Sequence, residues 1–412
     1  MKSQIAKASS LRSSHEHQKN NFKRVSKTYL TFTAILLAAT LSFAGCKKPN
    51  PQATALTAVA KPDLPPSTKI QVALLLDTSN SMDGLIEQAK SRLWNIVNTL
   101  TTLKYSGRTP DIEIGLYEYG NDGLGAQTNY IRQVTPLTTD LDLISEKLFS
   151  LRTNGGSEYC GAVISDATKQ LQWGFNESDM KLLYISGNEG FNQGRVNYKE
   201  AISDALKKGI YVNTIYCGPQ NEGISLLWKD GADAGKGKYF NIDSNQAVQY
   251  IVTPYDDQIT QCNVRINATY VNYGSQGDMK KANQEMQDAN AEKVSKANYA
   301  ERAVSKSKAV YKNDSWDLVD KVKQDKDALQ KIKKEELPKE LKNKSEAEIK
   351  AYVDTKTKER EAIQKEIGEL AKKRQEYIDA EAKKNKSQDD LGNAMSTSIV
   401  AYARLKGYTV VK

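Results

Sequence analysis

Short hydrophobic runs alternate with amphipathic segments over residues 69–259. The runs are rich in β-branched and aliphatic residues, which is typical of strands. They are Ile70–Leu76, Ile112–Tyr119, Lys181–Ser186, Ile210–Tyr216 and Tyr239–Ile242. The segments between them repeat apolar residues every three or four positions, which predicts helices. They are Leu85–Leu103, Leu141–Arg152, Tyr159–Leu171, Tyr198–Lys208 and Ala247–Ile259. This alternation predicts an α/β fold with a mainly parallel central sheet flanked by helices.

The composition changes after Gly274, where glycine becomes rare and Lys, Glu, Ala, Gln and Asp dominate. Weak apolar stripes at three- and four-residue spacing run through residues 294–311 and 349–377. They predict an all-α region in which two long helices fold back on each other as a hairpin with coiled-coil-like packing. Pro338 places the connection in Asp325–Ser345. A last amphipathic segment, Leu391–Leu405, is expected to dock on the α/β part.

The N-terminal segment has the plan of a signal peptide. Tyr29–Ala44 is an uncharged apolar run that follows three basic residues, and it is shorter than the about 20 residues of a membrane-spanning helix. The run ends at Phe43-Ala44-Gly45-Cys46, which resembles a bacterial lipobox, in which the cysteine is diacylated. We therefore predict a signal peptide over 1–45, lipid on Cys46 and a tether over 46–68. The expected location is the bacterial cell envelope, at the outer membrane, with the leaflet left open and an uncleaved anchor as the alternative.

The charge and the histidines exclude several classes of function. The formal net charge is +9, and seven basic and one acidic residue of 1–45 account for six units of it. The remainder carries about +3, which does not favour nucleic acid as a partner. Both histidines, His15 and His17, lie in the leader, so a chain that begins at Cys46 has no Ser-His-Asp triad or histidine-bound zinc. A glycine-rich phosphate loop ending in Gly-Lys-Ser/Thr does not occur either, so no nucleotide is expected.

The strongest chemical signal follows the first predicted strand, as Asp77-Thr78-Ser79-Asn80-Ser81. A carboxylate and two hydroxyls at alternate positions can converge on a hard cation at the carboxyl end of a buried strand. Strand, D-x-S-x-S and helix in this order resemble the Rossmann-like von Willebrand factor type A (VWA) domain and its metal-ion-dependent adhesion site (MIDAS). The resemblance implies a VWA domain over 69–262 and leaves 263–412 as the helical region.

Three further segments occur in the order of that family. Asn154-Gly155-Gly156-Ser157 resembles the loop whose Thr supplies a hydroxyl to the metal, with Ser157 in its place. The segments "IYVNTIYCG" and "KGKYFNID" resemble the fifth and the closing strand. One element departs from the pattern, because Gly187 stands where the family has the Asp of Thr-Asp-Gly.

The resemblance implies a variant MIDAS that holds Mg²⁺, or else Mn²⁺ or Ca²⁺. The expected ligands are Asp77, Ser79, Ser81, Ser157 and Glu189. Asn188 and Glu158 are alternatives to Glu189 for the missing carboxylate. A competing interpretation is that the Asp and Ser side chains only cap the following helix, since both types are preferred there.

The fold implied by the resemblance also brings two cysteines to the metal edge of the sheet. Cys160 and Cys217 are expected there, and in an exported protein they are expected to form a disulfide. Two buried reduced cysteines, or a reactive Cys160 thiolate, are the alternatives. Cys262 is expected to pack as a small hydrophobic residue.

These features favour a lipid-anchored, non-enzymatic protein that binds or scaffolds other proteins. By resemblance, an acidic side chain of a partner protein would complete the metal coordination, and the membrane contact would come from the lipid on Cys46. An envelope scaffold that assembles through the helical hairpin without metal is the alternative. A metal-assisted hydrolase using Glu158 or Glu189 is least favoured, because the motifs supply neither an acid–base pair nor a nucleophile with its base.

Overall fold

The computed structural model describes residues 67–384 and 390–411. The predicted signal peptide, the lipidated Cys46 and nearly all of the predicted tether lie outside these residues. None of the helices in the described ranges is both long enough and apolar enough to span a bilayer.

A six-stranded sheet forms the centre of the molecule. Its strands are β1 (Lys69–Asp77), β3 (Asp111–Tyr119), β4 (Ile131–Thr138), β5 (Met180–Gly187), β6 (Ile210–Cys217) and β7 (Lys236–Ile242), and two short strands, β2 (Leu103–Lys104) and β8 (Thr409–Val410), pair separately. The order in the large sheet is β4-β3-β1-β5-β6-β7, and only β4 is antiparallel to its neighbour. The predicted parallel sheet is therefore confirmed.

Strand β4 was not anticipated from the sequence. It lies at the edge of the sheet, only two of its eight residues are buried, and it contains Pro136. Proline cannot donate to the hydrogen-bond ladder, so a strand that contains it lies at the edge of a sheet. Such a strand is only partly buried, and its hydrophobic alternation is therefore weak.

The described residues form thirteen helices, which cover both faces of the sheet and the C-terminal part. They are α1 (Asp83–Thr101), α2 (Leu141–Ser150), α3 (Cys160–Gln170), α4 (Tyr198–Lys207), α5 (Gln220–Ser225), α6 (Trp228–Ala234), α7 (Asp256–Asn267), α8 (Gly277–Val294), α9 (Lys296–Lys306), α10 (Leu318–Gln324), α11 (Ala328–Lys331), α12 (Glu346–Lys384) and α13 (Leu391–Leu405). The helix predicted over Ala247–Ile259 instead begins at Asp256. The reason is Pro254, which disfavours helical geometry in the residue before it.

The two faces of β1 belong to different cores. Ala73 and Leu75 pack with α3, α4 and Trp228 of α6 on one face. Leu74 and Leu76 pack on the other face with α1, α2 and α7, and the same core continues into α9, α12 and α13. The predicted boundary at residue 262 falls inside α7, so the helical region shares its core with the α/β part.

The helical character of the C-terminal region is confirmed, but the predicted pair of long helices is not what forms. The first stripe breaks at Ser295, which has an extended backbone and accepts a hydrogen bond from the Asn298 N–H at 3.0 Å. The predicted connection, Asp325–Ser345, contains Pro338 and holds only short helical turns. The second stripe forms the 39-residue helix α12, which packs on α7, α9 and α10. Helix α13 docks on α1 and the sheet, as expected.

Candidate functional site

The turn after β1 places Asp77 at the carboxyl edge of the sheet. Strand β1 lies between β3 and β5, and Asp77 is fully buried beside its pairing partner Tyr119. Its Oδ1 accepts a hydrogen bond from the Ser79 N–H at 2.7 Å, which holds the chain in the turn that leads to α1. This hydrogen bond stabilises the turn, whereas α1 itself has Met82 as its N-cap residue and no side-chain capping bond, so the alternative in which these side chains cap the helix is not what the structure shows.

The two predicted serine ligands lie together above Asp77. The hydroxyl oxygens of Ser79 and Ser81 are 3.3 Å apart, with Ser79 buried and Ser81 exposed. Asn188 donates from Nδ2 to the Ser81 hydroxyl at 3.1 Å. Asn188 therefore belongs to the rim of the site.

The loop that carries Ser157 is held against this turn by backbone contacts. The Asn154 N–H donates to the carbonyl of Thr78 at 2.9 Å, and the Asp122 N–H donates to the carbonyl of Gly155 at 2.6 Å. A Cβ at Gly156 would lie 2.6 Å from the carbonyl oxygen of Gly120, so only glycine permits this approach. The turn at Asp77–Ser81 and the loop at Asn154–Ser157, which are far apart in the sequence, are thus neighbours in the fold.

Glu158 brings a second carboxyl group against Asp77. It is 5% exposed, and a Cβ at Gly120 would lie 2.7 Å from Asp77 Oδ1 and 2.8 Å from Glu158 Cγ, so the two side chains meet under that glycine. Burial raises the pKa of Glu158 to about 9, with Asp77 the next cause. Burial likewise raises the pKa of Asp77 to about 6, partly offset by hydrogen bonding from Glu158 and Ser79. The two groups are close enough to share a proton.

When both groups are ionised, this pair is left without a counter-charge. Asp77 Oδ2 and Glu158 Oε2 are buried and have no hydrogen-bond partner within the described part of the chain. Neither Lys nor Arg appears among the main influences on their pKa values. A buried ion without a partner is costly, so a proton or a cation is needed between them.

Glu189, the predicted replacement for the missing carboxylate, is exposed and turned aside. Its Oε2 accepts a hydrogen bond from Gln193 Nε2 at 3.2 Å. Its charge still raises the pKa of both Asp77 and Glu158. Among the carboxylates considered from the sequence, Glu158 is the one in contact with Asp77.

Tyr119 is a part of the site that the sequence analysis missed. Its hydroxyl is fully buried and donates to the Ser186 carbonyl at 3.0 Å, which places it beside Gly187. A Cβ at Gly187 would lie 2.5 Å from this hydroxyl. The only sequence signal was the position of Tyr119 at the end of the neighbouring strand.

The donor set fits a hard divalent cation. Two carboxylates and two hydroxyls converge on one edge, and Mg²⁺, Mn²⁺ and Ca²⁺ take oxygen ligands of these kinds. Clusters of three or more His, Cys, Asp or Glu side chains suited to a metal do not occur within residues 67–384 and 390–411, so the hydroxyls are needed to complete any such site.

The disulfide predicted between Cys160 and Cys217 is not present in the structure. Both thiols are buried and unpaired, as is Cys262. Cys160 belongs to the core that contains Ala73, whereas Cys217 belongs to the core on the opposite face. The sheet separates them, and the Cys160 thiol donates to the hydroxyl of Tyr119 at 3.9 Å. The alternative of buried reduced cysteines describes this arrangement.

Comparison with known proteins gives a match over the part of the chain that forms the large sheet. Residues 71–254 match the family model of the von Willebrand factor type A domain. Similar solved structures include an aerotolerance-related membrane protein from Bacteroides fragilis, 17% identical, covering 43% of this chain and 93% of that chain, with a TM-score of 0.30. No curated protein sequence matches the chain.

Two further similar structures are matched over less than half of their own length. One is proximal thread matrix protein 1 from the mussel byssus with a zinc-occupied MIDAS motif, 14% identical, covering 42% of each chain, with a TM-score of 0.32. The other is the pilus adhesin SpaC from Lactobacillus rhamnosus GG, 13% identical, covering 43% of this chain and 28% of that chain, with a TM-score of 0.33. The present chain spans less than half the length of either protein. The family match and the order of strands show that residues 71–254 have the Rossmann-like fold of the von Willebrand factor type A domain.

Proposed function

We propose that this VWA domain binds a partner protein through a divalent cation at the carboxyl edge of its sheet. The ligands from this chain would be the carboxylates of Asp77 and Glu158 and the hydroxyls of Ser79, Ser81 and Ser157. Glu158 takes the role that the sequence analysis gave to Glu189. The observation that supports the proposal is the buried carboxylate pair, whose outer oxygens have no partner among the described residues.

Charge balance supports a cation in preference to simple capping. The hydrogen bond from the Ser79 N–H uses Asp77 Oδ1, but it gives no role to Asp77 Oδ2 or to Glu158. A divalent ion would neutralise both carboxylates and satisfy these oxygens, and it would leave a coordination position for the partner. VWA domains mediate protein interactions, in some members through such a metal. An acidic side chain of the partner suits the remaining position, because Mg²⁺ prefers carboxylate oxygen.

The proposed setting is the bacterial cell envelope, with the protein held to the membrane by lipid on Cys46. This part rests on the lipobox-like Phe43-Ala44-Gly45-Cys46 and the apolar run before it. We expect no catalysis, since the two carboxyls at the site would be occupied by the metal. A scaffold acting through a projecting hairpin is disfavoured, because α12 is packed on α7 and α9.

Metal binding can be tested by calorimetry on the purified protein with Mg²⁺, Mn²⁺ and Ca²⁺. Glu158→Gln and Ser79→Ala should weaken binding at least tenfold, whereas Glu189→Gln should change it less than threefold. Unchanged binding in Glu158→Gln would remove Glu158 from the site. Absence of binding in the unaltered protein would end the metal hypothesis.

Partner capture tests the remaining part of the proposal. Envelope proteins retained by the full chain should be lost after chelation and recovered with Mg²⁺, and they should not be retained by the Glu158→Gln variant. Capture that persists in chelator would favour the metal-independent scaffold instead.

A further inference from the structure

A second polar cavity lies among helices α1, α9, α12 and α13, away from the proposed metal site. It has a volume of about 610 Å³, and its wall includes Arg92, Asn95 and Asn98 of α1. Asn95 is twelve residues along α1 from its start beside Ser81, which corresponds to about 18 Å at the helical rise of 1.5 Å per residue. The two sites are therefore separate.

Glu301 of α9 lines this cavity with an unsatisfied carboxylate. Its side chain is 5% exposed, and its Oε1 lies 3.7 Å from a terminal nitrogen of Arg374. Its Oε2 is buried and has no hydrogen-bond partner in the described ranges. Burial raises the pKa of Glu301, which shows that its nearby cations do not fully compensate for the loss of water.

Among the residues that the structure describes, the ion pairs around the cavity leave one negative charge in surplus. Arg92 pairs with Asp390, and Arg374 pairs with Asp256 at 2.8 Å between Nε and Oδ1. All four of these side chains are buried. Each guanidinium already has its own carboxylate, so two cations face three anions when Glu301 is included. A buried surplus charge calls for a positively charged partner.

Part of the cavity wall is apolar. Ile251, Ile378 and Ala382 contribute to it, with Ile378 and Ala382 one turn apart on α12. A ligand that suits both walls has one cationic, hydrogen-bond-donating head and an aliphatic stem.

We propose that this cavity binds a small organic cation, a protonated amine with an aliphatic stem. The ammonium group pairs with the Glu301 carboxylate and balances the surplus charge, and the stem lies along Ile378 and Ile251. Recognition is by charge, hydrogen bonding and burial of the stem, and it does not involve the metal at Asp77.

Calorimetry with n-pentylamine at neutral pH tests this proposal on the full chain, with n-pentanol as the neutral probe of the same shape. The amine should bind and the alcohol should not. Glu301→Gln should weaken binding of the amine at least tenfold, and Ile378→Ala should weaken the same binding several-fold. The matched control Glu369→Gln, at an exposed position on α12, should leave binding unchanged.

The outcomes separate this proposal from the proposed function and from a purely structural role of Glu301. Asp77→Asn should retain amine binding, so failure of the metal site leaves this test intact. Glu301→Gln without ligand should unfold at the same or a higher temperature, because it removes a surplus buried charge. Equal binding of amine and alcohol, unchanged binding in Glu301→Gln, or no binding of the amine would overturn the proposal. A loss of stability in Glu301→Gln would also overturn it, since Glu301 would then be a structural partner of Arg374.

Discussion

Gly187 lies so close to Asp77 that a Cβ at position 187 would be 3.0 Å from Asp77 Oδ2. The same atom would be 2.5 Å from the hydroxyl of Tyr119. The position where the VWA family has an Asp is thus closed to any side chain in this protein. Glu158, which comes from the loop on the other side of Asp77, is the carboxyl group that has room beside it.

Restoring the family residue is therefore expected to damage the protein. Gly187→Asp forces a side chain against Tyr119 and Asp77 and adds a third carboxyl, which should cost about 2 kcal/mol or more in unfolding free energy. Urea denaturation measures this cost, and calorimetry should show no gain in metal affinity. Gly368→Ala is the control, since nothing lies within 4 Å of that Cβ, and it should stabilise α12 by about 0.5–1 kcal/mol. A stable Gly187→Asp variant with tighter metal binding would contradict this account.

The buried carboxyl pair predicts how stability depends on pH in the presence of chelator. The pKa of Glu158 is raised by burial to about 9, against an ordinary value of about 4.3. Between these values the folded state binds more protons than the unfolded state, so the contribution of this group to stability falls as pH rises. We expect the free energy of unfolding of Glu158→Gln, relative to that of the unaltered protein, to rise by at least about 1 kcal/mol from pH 5 to pH 8. Thermal unfolding in the presence of chelator measures this difference.

Two further measurements identify the cause of that difference. The free energy of unfolding of Glu189→Gln should change with pH in the same way as that of the unaltered protein, since the Glu189 carboxylate is exposed. Mg²⁺ at pH 8 should stabilise the unaltered protein more than Glu158→Gln, because the variant binds the metal more weakly. A constant difference between Glu158→Gln and the unaltered protein at every pH would show that Glu158 does not titrate as argued.

Arg360 is expected to be a major support of the C-terminal region. Its guanidinium is 4.0 Å from the centre of the Tyr270 ring and donates to Asp317 at 2.6 Å and to Asp320 at 2.8 Å. Arg360→Ala would leave the buried carboxylate of Asp317 and the half-buried carboxylate of Asp320 without their cation and should cost about 3–5 kcal/mol in denaturation experiments. Lys350→Ala, at an exposed position near the start of α12, should change stability by less than about 0.5 kcal/mol.

The cysteines are expected to be insensitive to reducing agent. Because Cys160 and Cys217 lie in cores on opposite faces of the sheet, the unfolding temperature should be the same with and without reductant. Thiol titration after denaturation under non-reducing conditions should find both thiols free. A lower unfolding temperature in reductant would show that the cysteines pair in solution.

Arg360 and Arg374 illustrate the limit of reading the helical pattern from sequence. In the sequence they interrupt the apolar stripe of residues 349–377, yet both are buried on the same face as Ile363 and Ile367. Their partners, Asp317 and Asp256, lie on other elements of the chain. Periodicity treats a charged residue as a break, whereas a guanidinium with a buried carboxylate partner can occupy a core position.

The hydrophobic pattern by itself determined the α/β class, five of the six strands of the large sheet and the place of Asp77 at the end of β1. Those features depend on local periodicity and on the rule that parallel strands end at the same edge. Only the tertiary structure showed that Glu158, and not Glu189, lies against Asp77. It also placed the two cysteines on opposite faces of the sheet. Such choices depend on which side chains distant in sequence are neighbours and on how much water burial removes from them, and neither quantity is local in the chain.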